Sequence, residues 1–283
     1  MDGISNETYQ RWAAYIKDIS AIDVQENKYY LIANRLTPLA LENGCVDIDV
    51  LLKKVIDTGE PNLITKIINA MTTNETLWFR DRHPFDTLSE YILPEYAEQV
   101  KAGNKDKVRI WCAASSTGQE PYSIAIILRE FMSQNTAVNK THFDLKATDI
   151  STTALFMAQR ARYDGISMSR GMPQDLKQKY FIEAAGAWQL NEDTAEMVTY
   201  SKINLKDSFA HMGHQDIIFC RNVLIYFDDS TKRDILNRFS QLLKPDGILF
   251  LGASEAMLNL SEEFRINKNC NTIYYSCRNG ETI

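Results

Sequence analysis

Between Val108 and Phe131 the chain passes from a continuous apolar run, VRIWCAA, through a short polar loop, SSTGQ, into EPYSIAIILREF. In the last segment Ile124, Ile127, Leu128 and Phe131 fall on one side of a helix. The alternation then repeats. FDLKATDI is followed by TTALFMAQRARY, and QDIIFCRN by STKRDILNRFSQLLK, a PDG turn and ILFLGAS. Strands that alternate with helices predict a parallel, doubly wound sheet. TIYYSCR is expected to close it as an edge strand. In an open sheet of this kind ligands sit beyond the carboxyl ends of the strands. The loops after these strands are therefore where chemistry is expected.

The first 90 residues have a different rhythm. NKYYLIANRLTPLALENG has roughly helical apolar spacing and stops at Asn43-Gly44. DIDVLLKKVIDTG follows, with Asp47 or Asp49 as N-cap and Gly59 as the stop. PNLITKIINAMTTNETLWF is another helix running into a polar knot at Thr72–Thr76. Residues 1–90 are read as a helical domain, 91–106 as a linker around KAGNKDK, and 107–283 as the α/β domain. Within the latter, 175–205 breaks the pattern. WQLNEDTAEMVTYSKINL reads as two short strands around a polar turn, a small antiparallel insertion.

Composition narrows the class. A net charge of −6 argues against a general nucleic-acid binder. The polar start MDGISNETYQRW has no apolar signal region, and no apolar run approaches the ~18 residues of a membrane span. Cys45, Cys112, Cys220, Cys270 and Cys277 form no CxxC pair and read as free thiols in a reducing compartment, so a cytoplasmic protein is expected. His211 and His214 in HMGH have no supporting Cys, His or acidic cluster, so no metal is expected.

Four segments carry candidate chemistry. In the loop after the first strand, Ala113, Ala114, Ser115, Ser116 and Gly118 let a ligand approach the backbone closely. The loop has one glycine where a dinucleotide fingerprint needs three, and it lacks a P-loop lysine. Glu120, just before Pro121, disfavours phosphate and suits a cation, such as a sulfonium bearing an amino group. The alternative is a tight turn with no ligand. Asp149, ending the second strand, is placed either to accept hydrogen bonds from ribose hydroxyls or to cap the next helix. Arg80, in NAMTTNETLWFRDRHPF, is either a fixed cation for a carboxylate, anchored by Trp78 and Phe79, or a solvent-exposed arginine. FCRNVLIYFDD ends a strand in Arg221-Asn222, with Tyr226 after it, facing the same crevice or buried in the core. No DPPY or NPPY motif and no GxSxG elbow is present.

MTTNETLWFRDRHPF, RIWCAASSTGQEPYSIAI, ATDIS, FCRNVLIYF and LFLGASE, in this order across residues 70–255, together resemble the chemotaxis receptor methyltransferases (CheR). The resemblance implies a Rossmann-like class I fold dependent on S-adenosylmethionine (SAM). An all-helical N-terminal domain for receptor recognition and cofactor covering comes before it, and a β-subdomain is inserted. SAM is the implied methyl donor, S-adenosylhomocysteine (SAH) the product, and glutamate side chains on the cytoplasmic helical bundle of chemoreceptors the acceptors. Cofactor contacts carry over to Asn74, Thr76, Arg80, Glu120, Asp149, Asn204 and Leu205 in SKINL, and Cys220, Arg221 and Asn222, beside Ala113 and Gly118 of the loop. Arg80 and Tyr226 are the residues implied beside the reacting methyl group. Trp111, Ile150, Phe156 and Leu205 are expected as an apolar rim. In some members the β-subdomain grips a peptide at the receptor's C-terminus, and a monomer is expected. One departure concerns docking. Residues 1–60 carry six Lys/Arg against ten Asp/Glu, and Pro38 is expected to interrupt the second helix. A broad positive face is not expected here, which leaves Arg35 or apolar contacts.

Overall fold

The computed structural model describes residues 4–257, 260–269 and 272–278; Cys270 lies outside them. The first four helices are α1 (Asn6–Ser20), α2 (Tyr29–Glu42), α3 (Ile48–Thr58) and α4 (Pro61–Met71). Their boundaries follow local chemistry. The Ser5 hydroxyl accepts from Thr8 N–H at the start of α1. Asp47, not Asp49, caps α3 by accepting from Val50 N–H, and Gly59 ends it at φ 58°. Pro38 does not interrupt α2, which continues to Glu42. Both Pro38 and Asn34, whose carbonyl loses its partner, are exposed, so the freed group lies where solvent can reach it. Trp12, Ile16, Ile32, Leu36, Leu51, Leu52, Val55, Leu63 and Ile67 make a separate apolar core for these helices.

That core stops at Met71. Trp78, Phe85, Leu88, Leu93 and Tyr96 pack instead into the core shared with the sheet. The stretch expected to be a linker is helical over much of its length. α5 (His83–Thr87) passes through a wider turn at Leu88–Ile92 into α6 (Leu93–Lys101), with Leu93, Tyr96 and Ala97 buried. Its short apolar spacing around Pro94 hid the helix. Lys105 is pinned at the sheet's lower end, where it and Lys244 pair with the fully buried Asp216.

The main sheet contains β1 (Val108–Ala113), β2 (Phe143–Asp149), β6 (Val198–Lys202), β7 (Gln215–Cys220), β8 (Leu243–Leu251), β9 (Phe264–Asn269) and β10 (Thr272–Cys277). Its order is β6-β2-β1-β7-β8-β10-β9. The first five strands in this order pair in parallel, as their alternation with α7 (Gln119–Gln134), α8 (Thr152–Arg160) and α12 (Asp229–Leu242) requires. All six residues of β7 are buried, consistent with a strand covered on both faces. TIYYSCR is not an edge strand. β10 pairs with β8 on one side and β9 on the other, both antiparallel. The short hairpin partner FRINKN, with polar residues between its apolar ones, takes the edge. PDG lies inside β8, but the β7–β8 ladder jumps from Gln215↔Leu243 to Ile217↔Ile248, so residues 244–247 bulge out.

The insertion also differs from expectation. β3 (Arg162–Asp164), β4 (Phe181–Ala184) and β5 (Ala187–Leu190) form a three-stranded antiparallel sheet, order β3-β5-β4, with α9 (Gly165–Ser169) and α10 (Gln174–Tyr180) between them. The polar turn NEDTA is a helical turn, α11 (Glu192–Ala195), capped by Asn191. The strand after it, β6, leaves the insertion and joins the main sheet beside β2. Polar and β-forming residues on both sides made one hairpin plausible; pairing assigned the two strands to different sheets.

Candidate active site

The strand order turns around β1: β2 lies on one side and β7 on the other. Beyond their carboxyl ends opens a cleft. Its walls come from residues 71–76 and 80, the loop 114–116 with Glu120, Asp149-Ile150, residues 203–205, and 221–223 with Tyr226 and Phe227; Ser20 and Ile22 close one side. Sequence reasoning missed Ser20 and Ile22, which lie at the end of α1 and carry no local signal.

Most expected site residues meet here: Asn74, Thr76, Arg80, Glu120, Asp149, Asn204, Leu205, Arg221, Asn222 and Tyr226 all line the cleft. Three do not. Ala113 and Cys220 are the last residues of buried strands and pack into the core, and their successors Ala114 and Arg221 reach the cleft instead. Gly118 lies behind the loop. A Cβ there would come within 2.9 Å of the hydroxyls of Tyr163 and Tyr200, and its φ is +95°. The expected apolar rim is halved. Ile150 and Leu205 line the cleft, whereas Trp111 is buried against Phe209 and Phe239, and Phe156 is exposed beside Arg160.

The walls are held by buried charge. Asp149 accepts from Ser116 N–H (2.7 Å) and Ser151 N–H (2.8 Å), so it fixes the loop after β1 and the start of α8 together. Burial pushes its carboxyl up, and the amides oppose this. Arg221, whose side chain is 1% exposed, donates to Glu120 (2.9 Å), to Asp81 (2.7 Å) and to the carbonyl of Arg80 (2.7 Å). Glu120 is pushed up by burial, with Arg221 pulling it back down. Arg221 is thus an internal cation that ties the Arg80 segment to α7. Arg80 and the Tyr226 hydroxyl make no side-chain hydrogen bond or ion pair among the described residues, and both residues line the cleft, where the Arg80 charge also acts on Glu120.

Local backbone strain concentrates on the same segments. Phe79, Asp81, Arg82, Ala114, Ser116 and Asn222 are non-glycine residues with φ between 46° and 64°. Such conformations cost about 1–3 kcal/mol each and persist where the surroundings over-determine them. Here Trp78 N–H donates to Arg170 O, Arg170 pairs with Glu75 at 2.6 Å, and Asp149 and Glu255 clamp the other two loops. The helical domain is clasped on as well. Asn204 donates to Ile19 O (3.0 Å), Lys17 pairs with Asp228 (2.5 Å), and Asp23 N–H donates to Tyr226 O (2.8 Å). Arg35 is used internally, donating to Met71 O, Thr72 O and the Thr73 hydroxyl.

The family models for "CheR methyltransferase, all-alpha domain" and "CheR methyltransferase, SAM binding domain" match residues 7–72 and 74–273. The chain belongs to the CheR methyltransferase family. Among curated relatives of this CheR chain, chemotaxis protein methyltransferase 1 of Pseudomonas aeruginosa is 39% identical over 93% of this chain and 94% of its own. Chemotaxis protein methyltransferase Cher2 of Pseudomonas putida is 36% identical over 96% and 98%. The chemotaxis protein methyltransferase of Salmonella typhimurium is 34% identical over 93% and 88%. The protein is a SAM-dependent methyltransferase, and the cleft fits that cofactor. The Ser115 hydroxyl, Asn222 Oδ1 and Arg221 Nε are buried on its walls without a partner among the described residues, so a polar ligand is called for. Glu120 spends one oxygen on Arg221, and the other is open to a cationic group.

Proposed function

We propose that this CheR methyltransferase transfers the methyl group of SAM to glutamate side chains on the cytoplasmic helical bundle of chemoreceptors, giving γ-carboxyl methyl esters. One observation carries the acceptor class. The described cleft lining contains a guanidinium and a phenol without hydrogen-bond or ion-pair partners, Arg80 and Tyr226, but no histidine or lysine. Its carboxylates are held by other groups: Glu75 by Arg170, Asp149 by two amides, and Glu120 by Arg221 through one oxygen, with its other oxygen assigned to the cofactor's cationic end. An amine acceptor would need a base to take its proton. A glutamate carboxylate is already ionised at neutral pH. It can attack directly, forming an O–CH₃ bond as the S–CH₃ bond breaks.

When bound, SAM supplies an electrophilic methyl on a sulfonium, with SAH as leaving group. The protein's task is positioning, which can contribute on the order of several kcal/mol. Asn74, Thr76, Asp149, Asn204, Leu205 and Asn222 are assigned to cofactor binding, and Glu120 to its cationic end. Arg80 neutralises a carboxylate, of acceptor or cofactor, and Tyr226 aligns the acceptor oxygen. Ser20 and Ile22 on the wall support a second role for the helical domain, as a cover over the cofactor. The outer positions of β3 and β4 in the small sheet support its use for a receptor's C-terminal peptide.

The test is incubation with methyl-labelled SAM and receptor membranes, with and without the receptors' C-terminal tails. Label released as methanol in alkali is expected. Base-stable label, or label on another macromolecule, would overturn the glutamyl ester.

A further inference from the structure

The motif LFLGASE has no part in the chemistry proposed so far, although its Glu255 is buried beside the turn after β7 that it clamps. Its Oε2 accepts from Asn222 N–H at 2.6 Å and from Gly252 N–H at 2.7 Å, and Oε1 accepts from Ile225 N–H at 3.3 Å. Two of these three amides belong to the strained turn after β7. Asn222 sits there at φ 59°, and the turn Leu224–Tyr226 follows at once. Gly252 makes the arrangement possible. A Cβ at this position would lie 2.6 Å from Asn222 Nδ2, 2.7 Å from Glu255 Oε2 and 2.8 Å from Asn222 N. The strand β8 thus delivers one carboxylate into the concave side of the turn that carries Asn222 and Tyr226 to the cleft.

We infer that Glu255 is a positioning residue for methyl transfer: its carboxylate holds the 222–226 turn in the left-handed form that places Tyr226 against the acceptor and Asn222 against the cofactor. Glu255 lines a different cavity, formed with Asp81, His83 and Tyr275 on the far side of the turn, and is not among the cleft-lining residues. It acts through the backbone amides. A neutral hydrogen-bonding residue cannot replace it fully. Three donors converge on two oxygens, and amides that converge on an anion form stronger bonds than on a neutral acceptor. Glutamine keeps an oxygen for Asn222 and Gly252 but turns an NH₂ group toward Ile225 N–H.

This inference rests on the proposed role of Tyr226, and the experiment separates the two. Hydrogen exchange over residues 219–228 in the protein without receptor reads the clamp independently of activity. Glu255→Ala is expected to lose protection there, Glu255→Gln to keep most of it, and unchanged exchange in Glu255→Ala overturns the clamp. Methyl transfer to receptor membranes then reads the consequence. Glu255→Ala is expected to lower kcat on the order of a hundredfold, as misplacements of about 1 Å do, and Glu255→Gln to recover at least about tenfold of that loss. Adding Tyr226→Phe to Glu255→Ala is expected to slow transfer by less than about threefold more, because residues acting as one unit are not additive. Fully additive losses overturn the positioning role even if the clamp is real. If wild-type protein forms no base-labile ester, the acceptor assignment fails, while the exchange result still decides the clamp.

Discussion

Arg221→Met tests whether the buried arginine is the counter-ion that lets Glu120 stand in the cleft wall. Methionine keeps the unbranched aliphatic stem and removes the charge, so the packing loss is small. Removing one partner of a buried ion pair costs about 3–5 kcal/mol, since the other charge is left uncompensated. Glu120 is 12% exposed and bears that cost. Asp81 is 34% exposed, and solvent screens it, so its share is minor. A loss of about 3 kcal/mol is therefore expected. With a urea slope of about 3 kcal/mol/M for a chain of this size, the midpoint falls by about 1 M. Tryptophan fluorescence reads the sheet core through Trp78 and Trp111, which lie there, while Trp12 reports the helical domain. The pH dependence adds a second check. The Glu120 carboxyl lies above its ordinary value of 4.5 in the folded protein. The folded state therefore holds that proton more tightly than the unfolded state, and stability falls as pH rises from 4.5 through the folded value. Without Arg221 the folded value moves further up, so the deficit of the variant is smaller at pH 5 than at pH 7. Adding Glu120→Gln removes the stranded charge and is expected to restore at least about 1 kcal/mol. A midpoint shift below about 0.3 M at pH 7, or no recovery in the double variant, would refute the counter-ion argument.

Arg80→Ala is expected to weaken SAH binding in calorimetry, whereas Tyr226→Phe spares binding and slows transfer about tenfold to a hundredfold, the worth of one hydrogen bond to a charged group. Wild-type transfer rates in both variants would remove them from the site. Gly118→Ala forces a Cβ into the hydroxyls of Tyr163 and Tyr200 at positive φ. It is expected to cost about 1–3 kcal/mol in unfolding and to lower cofactor affinity by distorting the loop, although Gly118 does not line the cleft. Asp216→Ala leaves Lys105, whose side chain is 8% exposed, with Asp246 as its remaining carboxylate at 3.3 Å, and takes the acceptor from Arg109 N–H, at the opposite end of the sheet. A loss of about 1–3 kcal/mol with unchanged SAH affinity in the folded fraction is expected; a coupled loss of affinity would contradict the separation of the two ends.

Element types and their order were legible in the sequence because they are set by residues close together. Period-2 and period-3.6 apolar patterns, the Asp47 cap and the Gly59 stop act over a few positions. The strand-end loops followed from order alone; Glu120, Asp149, Arg221 and Tyr226 on those loops, and Arg80 in the segment before the first strand, each kept a structural alternative until the family resemblance implied them as one site. Tertiary structure decided what those residues hold. Arg221 reaches Glu120 across 101 positions and Asp81 across 140, and Glu255 reaches Asn222 across 33. No local pattern encodes such pairings. The same reason placed β6 in the main sheet, β10 inside rather than at the edge, and Ser20 on the cleft wall: strand partners and domain contacts are chosen by burial and hydrogen bonding between distant segments. Spacing along the chain thus identified a loop with one glycine and an acid that suits a cation rather than a phosphate, whereas the folded molecule determined that the acid is matched by an internal arginine, Arg221, and that Arg80 lines the cleft without an ion pair among the described residues.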